Sequence, residues 1–247
     1  MSMSMNESLF DKPLPGGAFA APNPYEPANL HRYVHVAAPS CGKRWFNHQE
    51  RRSSILAAAR RRLVDAGFEG VCFRDIAELC EISVPTIYNI VGDRAEVMNQ
   101  ASIEWVQWLG AAASVQGEGG NKVLWAMQTF WDSALAYPEF TKTAAQLSAT
   151  PGRPLSDAFY KAGVALISKW LTELRAQKRL RPSISIDGLA WQLSLAVTAG
   201  VCNWVFAPYA EARYKRDFAN GPGLMLLGAM QGAEVAVVEQ ALEAILK

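Results

Sequence analysis

The sequence predicts an all-α protein, and three observations carry that prediction. Beyond Trp45, apolar residues recur at three- and four-residue spacing nearly to the end of the chain, which is the period of an amphipathic helix. Prolines and glycines punctuate those stretches, with Pro138, Pro151, Pro154, Pro182, Pro208 and Pro222 marking breaks. No stretch of useful length alternates apolar and polar residues as a half-buried strand would, and no segment repeats at a fixed period. The 247 residues suffice for one large domain or two modest ones, and a composition 50% hydrophobic and 19% charged is that of a soluble globular chain.

The elements follow in order. Residues 1–42 are rich in Pro, Gly, Ser, Asn and Ala and read as a flexible arm, with partial order against the body left open. The first helix carries Ile55, Ala59, Leu63 and Ala66 on one face and ends at Gly67. A short second helix covers about Phe73–Glu81, and a third about Val84–Ile90. Ser83 is placed to cap the third helix, and Pro85 sits in its first turn, where a missing N–H costs nothing. Asp93 opens a long fourth helix, with Glu96 three residues on as a cap-box partner and Val97, Ala101, Trp105, Trp108 and Ala112 as its buried stripe. Further helices are expected at about 121–137, 139–148, 155–179, 186–206 and 223–246.

Residues 53–97 are the informative part. Three short helices in this order close around Ile55, Ala59, Leu63, Phe68, Ile76, Ala77, Val84, Ile87 and Val91, with a tight turn near Cys80–Ser83 between the second and third. Such a helix-turn-helix lays its last helix in the DNA major groove, which is wide enough to admit it. The net charge of the whole chain is only +1, yet Lys43 to Arg62 holds seven cations against one acid, Glu50. Phosphate binding depends on where charge sits rather than on the total.

Here the sequence resembles the TetR family of transcription regulators. The resemblance rests on Ile76-Ala77, the turn Glu81-Ile82-Ser83, Thr86-Ile87-Tyr88, Ile90-Val91, Arg94 and Val97, and it spans about 50 residues. The chain departs from the family at Cys72, where a threonine usually caps the second helix, and at Ile90-Val91, where a His-Phe pair is usual. Glu81 stands in place of the turn glycine, so the turn forms without an easy left-handed residue or takes another geometry.

The resemblance implies a recognition helix whose outer face carries Val84, Pro85, Thr86 and Asn89. Val84 would meet a thymine methyl, Thr86 a base edge or phosphate, and Asn89 an adenine or the backbone. It implies that Tyr88 gives its hydroxyl to a phosphate, with Ser83, Arg94 and the start of the second helix, Cys72 and Arg74, as further clamps; a rim aromatic and a solvated cation are the plain alternatives for Tyr88 and Arg94. Lys43 and Arg44 either approach the DNA or form a solvated flank. Arg60–Arg62 spread around their helix, so no more than one or two can face DNA and the rest are a solvated face or ion pairs. The domains are then 1–42 as arm, 43–96 as DNA-binding unit and 97–247 as a helical effector-binding and dimerisation domain.

That second region holds seven of the eight tryptophans. The family's effector cavity is bordered by the helices carrying Trp105, Trp108, Trp125, Phe130 and Trp131, and such walls suit an apolar or aromatic effector, although an aromatic stripe is more often simply core. The last two long helices carry the small residues Ala196, Gly200, Gly228, Gly232 and Ala236, which would let a second copy approach in the four-helix dimer interface of the family. A dimer also suits half-sites one DNA turn apart. The function implied is a cytoplasmic repressor released from operator DNA by a small molecule. A helical ligand-binding module with weak or lost DNA binding and a transcriptional activator are the alternatives.

Other classes fare poorly. The three histidines, His31, His35 and His48, all lie near the N-terminus, so no histidine base is available in the helical body and no enzyme is expected. His31 and His35 have metal-compatible spacing only if the arm is helical, and they lack nearby Cys or Glu partners; neither metal nor cofactor is expected. The four cysteines form no CxxC pair and read as free thiols in a reducing cytoplasm. Gly188 to Ala207 is free of charge and about long enough to span a bilayer, but its Gln192, Ser194, Thr198 and Asn203 favour a buried or interface helix, so no membrane association is expected.

Overall fold

The computed structural model describes residues 22–30, 43–116, 121–148, 154–206 and 211–246. His31, His35 and Cys41 therefore lie outside the described residues, as does most of the arm. The helices run in the order α1 (Lys43–Gly70), α2 (Phe73–Leu79), α3 (Val84–Ile90), α4 (Arg94–Gln116), α5 (Asn121–Ala136), α6 (Pro138–Ser148), α7 (Pro154–Ala176), α8 (Ile186–Phe206), α9 (Glu211–Ala229) and α10 (Glu234–Leu246). Among the described residues no strand forms. The one extended contact there is an antiparallel bridge between Leu180 and Met230.

The all-α prediction holds, and its differences lie at the boundaries. Gly67 takes φ 68° and ψ 175°, as a chain leaving a helix does, but one further helical turn follows to Gly70, so α1 is kinked rather than ended. Asp93 caps α4, its carboxylate accepting the Glu96 N–H at 2.9 Å. The Glu96 carboxylate does not close the box: it accepts from Gln100 at 2.6 Å, one turn down the helix.

The single helix expected at 223–246 is two. Gly232, at φ 62°, turns the chain, and the Arg181 and Gln231 N–H groups bond the Ala229 and Arg179 carbonyls at 2.9 Å each. Helix α9 also starts earlier than the sequence suggests and carries Pro222 within it. Proline's fixed φ is compatible with a helix, so reading it as a break weighs the lost N–H above packing.

Three apolar clusters organise the molecule. The first, around Ile55, Leu56, Leu63, Ile76, Ile87 and Val97, closes α1–α3 onto the start of α4. The second fills the body between α5, α7, α8, α9 and α10, with Trp131, Leu171, Leu174, Leu193 and Leu226 at its centre. The third joins the two halves: Trp105, Trp108, Leu109 and Phe140 meet Ala28 and Tyr25 from the N-terminal segment. That segment, 22–30, is the part of the arm ordered against the body. It crosses the junction as a strap.

Candidate functional site

The recognition unit is built from the turn outward. Ile87 is fully buried and pins α3 to the first cluster, so the residues on either side of it face outward. Pro85, Tyr88 and Asn89 are exposed, and Val84 and Thr86 half-exposed. The Tyr88 side chain is 55% exposed, and its ring stands edge-on to Phe73 at 5.0 Å, so α2 fixes its direction. Glu81 settles the question of the turn: it takes φ 53°, the left-handed conformation that a glycine would adopt without steric cost. The Ile82 N–H bonds the Ala77 carbonyl at 2.9 Å and closes the α2 end.

The caps are weaker than a threonine and a serine would make them. Cys72 is the exposed N-cap of α2 without a side-chain cap bond. Ser83 holds the N-cap position of α3, but its hydroxyl pairs with the Thr86 hydroxyl at 2.8 Å instead of an orphan backbone N–H. This corrects the capping role read from the sequence.

The cations divide sharply. Arg44 and Arg74 are exposed beside the unit, free of ion pairs among the described residues, and Lys43 opens α1, its side chain outside the described set. Arg94, read as a phosphate clamp, is turned inward. Its guanidinium donates to the Phe68 carbonyl, lies 3.4 Å from the Glu69 carboxylate and stacks over the Phe68 ring at 4.8 Å. It ties the kinked end of α1 to the start of α4. Arg62 bonds Asp75 at 2.6 Å and Asp65 at 3.4 Å, linking α1 to α2, while Arg52 bonds Gln100 at 2.5 Å. Arg61 lies over the Tyr25 ring.

Arg60 is the residue that sequence reasoning missed. It is 1% exposed, one turn from Leu56 and Leu63, on the buried stripe of α1. Its guanidinium donates to the Glu104 carboxylate at 3.0 Å, to the Ala101 carbonyl at 3.0 Å, and to the strap carbonyls of Pro24 at 2.6 Å and Glu26 at 3.2 Å. Burial pushes the guanidinium below its ordinary value, and the Glu104 charge and hydrogen bond push back. Ser53 completes the network, donating to Glu104 at 2.5 Å and accepting the Asn29 N–H at 2.9 Å. At the strap's other end Ser133 donates to the Pro22 carbonyl at 3.4 Å, and Tyr25 meets Tyr137 and Phe140 edge-on. The signal was legible: opposite charges, Arg60 and Glu104, each on an otherwise apolar stripe.

The body holds two adjoining cavities. The first lies between α4, α5, α7 and α8 and is partly open to solvent, and the second lies between α4, α5, α6 and α8. Phe130, Val197 and Thr198 stand in the wall between them. Of the aromatic residues singled out in the sequence, Phe130 lines both and Trp105 lines the second. Trp108, Trp125 and Trp131 line neither: Trp108 sits in the junction cluster, Trp131 is buried against Trp204, and Trp125 packs on the body core. Trp170, on α7, lines the first cavity instead. Helix α8 is long and apolar enough to cross a membrane. It buries Ala190, Leu193, Ser194 and Val201 against the body and leaves Trp191, Leu195 and Phe206 exposed. Ala196 and Gly200 are half-exposed on it, and Gly228 and Ala236 are exposed on α9 and α10. Gly232 is exposed in the α9–α10 turn, where its positive φ is what the position requires.

The three-helix unit with its outward-facing third helix is thus set on a helical body that carries two apolar cavities. Comparison with known proteins agrees. Residues 55–97, which span α1–α3 and the start of α4, match the model for "Bacterial regulatory proteins, tetR family". No curated protein matches the chain by sequence. Among solved structures the chain resembles a tetR family transcription regulator of Shewanella sp. PV-4, at 15% identity and TM-score 0.52, over 74% of this chain and 99% of that one. It also resembles a TetR-family transcriptional regulator of Syntrophomonas wolfei, at 13% identity and TM-score 0.58, over 73% and 96%. A third, RolR in complex with resorcinol, shares 14% identity and TM-score 0.52 over 79% and 94%. These likenesses establish a common fold.

Proposed function

We propose that the chain is a homodimeric transcription repressor that reads operator DNA with α3 and releases it when a small apolar molecule fills the body cavities. The observation that carries this reading is the outer face of α3, where Pro85, Tyr88 and Asn89 stand exposed over a buried Ile87. Val84 and Thr86 border the base-reading face, and Tyr88, Ser83, Arg44, Arg74 and the Cys72 end of α2 meet phosphates. Arg94 acts behind them as a positioning residue. The intact left-handed turn at Glu81 supports DNA binding over the reading in which it has been lost.

The dimer rests on the exposed apolar face of α8, with Trp191, Leu195 and Phe206, continued by Leu224 on α9, which is 67% exposed. A face of this kind is what a partner covers. A Cβ added at Gly228 would meet nothing within 4 Å, which leaves room for the close approach of a second copy. The effector acts by binding better to the dimer whose recognition helices are wrongly spaced, which is population shift through differential affinity. The site of action is the cytoplasm, where DNA and free thiols coexist.

Fluorescence anisotropy with duplex from the gene's own promoter region tests the reading. Binding should fall steeply with salt, and Tyr88→Phe should weaken it about ten-fold, the worth of one hydrogen bond to a charged group at its low end. An unchanged affinity in Tyr88→Phe removes the phosphate role. No binding at low salt to any promoter fragment returns the chain to a ligand-binding module.

A further inference from the structure

From the hydroxyl inventory of the first cavity we infer that the effector is an uncharged, elongated, mainly hydrocarbon molecule carrying one hydrogen-bonding group, which Ser194 holds. The inference deepens the ligand-responsive reading above and rests on it for its link to DNA.

Three hydroxyls line the first cavity. Tyr160 donates to the Trp191 carbonyl at 3.1 Å, and Thr198 donates to the Ser194 carbonyl at 3.0 Å. Both are spent on the α8 backbone. The third, the Ser194 hydroxyl, is buried without a partner among the described residues, on a residue only 6% exposed. A buried hydroxyl left unpaired costs about 1–3 kcal/mol, so the group stands ready for a ligand atom. Space is kept for that atom on the facing helix: residue 163 is glycine, and a Cβ there would come to 3.7 Å from the Ser194 oxygen.

No Asp, Glu, Lys, Arg or His lines either cavity among the described residues. A carboxylate or ammonium drawn in would leave water without a counter-charge, at a cost no single hydroxyl offsets. In the second cavity, too, the hydroxyls are engaged: Ser133 with Pro22 and Thr141 with the Tyr137 carbonyl. The second cavity therefore offers contact surface and little else. Because Phe130, Val197 and Thr198 belong to both walls, a chain anchored at Ser194 extends past Phe130 into the second cavity.

Decan-1-ol, sodium decanoate and hexan-1-ol serve as probes, with binding to the purified full chain followed by calorimetry and by quenching of tryptophan fluorescence, since Trp170 and Trp105 line the two cavities. Decan-1-ol should bind, and decanoate at neutral pH should bind at least ~100-fold more weakly, because its charge finds no partner in the cavity. Ser194→Ala should weaken decan-1-ol about five- to ten-fold, the worth of one hydrogen bond; Ser194→Cys, which keeps the side chain's size, should do the same if the alanine variant does not fold. Phe130→Trp should weaken decan-1-ol while leaving hexan-1-ol unchanged. Decanoate binding as tightly as decan-1-ol, or full affinity in both Ser194 variants, overturns the inference, and so does the absence of alcohol binding. Alcohol binding that leaves the operator complex intact at saturation upholds the ligand class and overturns the regulatory reading instead.

Discussion

The junction and the cavity walls of this molecule treat polarity in opposite ways. At the junction, Arg60, Glu104 and Ser53 are buried and meet one another or the strap, with five bonds tying them to each other and to the Pro24, Glu26 and Asn29 backbone. Two residues beyond Glu104 on α4, about 3 Å at 1.5 Å per residue, Val106 already lines the first cavity. There apolar walls enclose two cavities and leave one hydroxyl unpaired. The difference teaches where the molecule is stiff. A charged network has one low-energy geometry, because each displaced group leaves another unpaired. A hollow apolar wall can repack at small cost. Helix α4 runs through both, so one rod is gripped at its DNA end and adjustable at its cavity end.

The sharpest way to break this contrast is to unpair the junction. Glu104→Ala leaves Arg60 buried without a counter-charge, and unfolding in urea should show a loss of about 3–5 kcal/mol. The double replacement Arg60→Met with Glu104→Leu should recover most of it, since well-packed apolar residues of similar volume often match a buried pair. A single-variant loss below about 1 kcal/mol would mean that water reaches the network and that the junction is not the stiff end.

That network also marks the limit of what the sequence disclosed. The helix-turn-helix was legible because its signals are local: Ile76, Ala77 and Ile87 at fixed spacing around a short turn, with Pro85 in a first turn. The strap was not, because its bonds run from Pro24 to Arg60 and from Pro22 to Ser133, pairings of long sequence separation made by backbone carbonyls that carry no side-chain signature. For the cavities the aromatic stripe misled in part. Trp108 and Trp131 have the composition of a pocket but the burial of core, whereas Gly163 and Ser194, which shape the first cavity, have no special appearance in a sequence. The pair of helices at the C-terminal end turned on the positive φ of one glycine, Gly232, which small-residue composition could not distinguish from close packing.

Smaller effects probe the recognition unit, where strain is confined to one backbone position. Glu81 holds a left-handed backbone that costs a non-glycine residue roughly 1–2 kcal/mol, while glycine adds entropy to the unfolded chain. Glu81→Gly should therefore stabilise the protein by about 0.5–1 kcal/mol without changing operator affinity per folded molecule. A destabilised variant would show that the Glu81 side chain makes an interaction that outweighs the strain. Cys72→Ser supplies the missing side-chain acceptor at the start of α2 and should add about 0.5 kcal/mol, read as a shift in the urea midpoint at constant m-value.

The least stability change, and the cleanest separation of the two kinds of charge, comes from comparing Arg74→Ala with Arg94→Ala. Arg74 is exposed on α2, so its replacement should leave stability within about 0.5 kcal/mol. If Arg74 meets a phosphate, alanine there means one counterion fewer set free on binding, and the slope of log affinity against log salt should fall by about 0.9 per half-site. Arg94 carries the same formal charge but spends it on the Phe68 carbonyl and Glu69. Its replacement should lower stability by about 1 kcal/mol and leave the salt slope unchanged, because no phosphate is deprived of a partner. Equal slopes in the two variants would place both arginines in the same role. A fallen slope in Arg94→Ala with none in Arg74→Ala would mean that DNA binding pulls Arg94 away from α1 and onto a phosphate, and that the grip at the DNA end of α4 loosens when the operator is engaged.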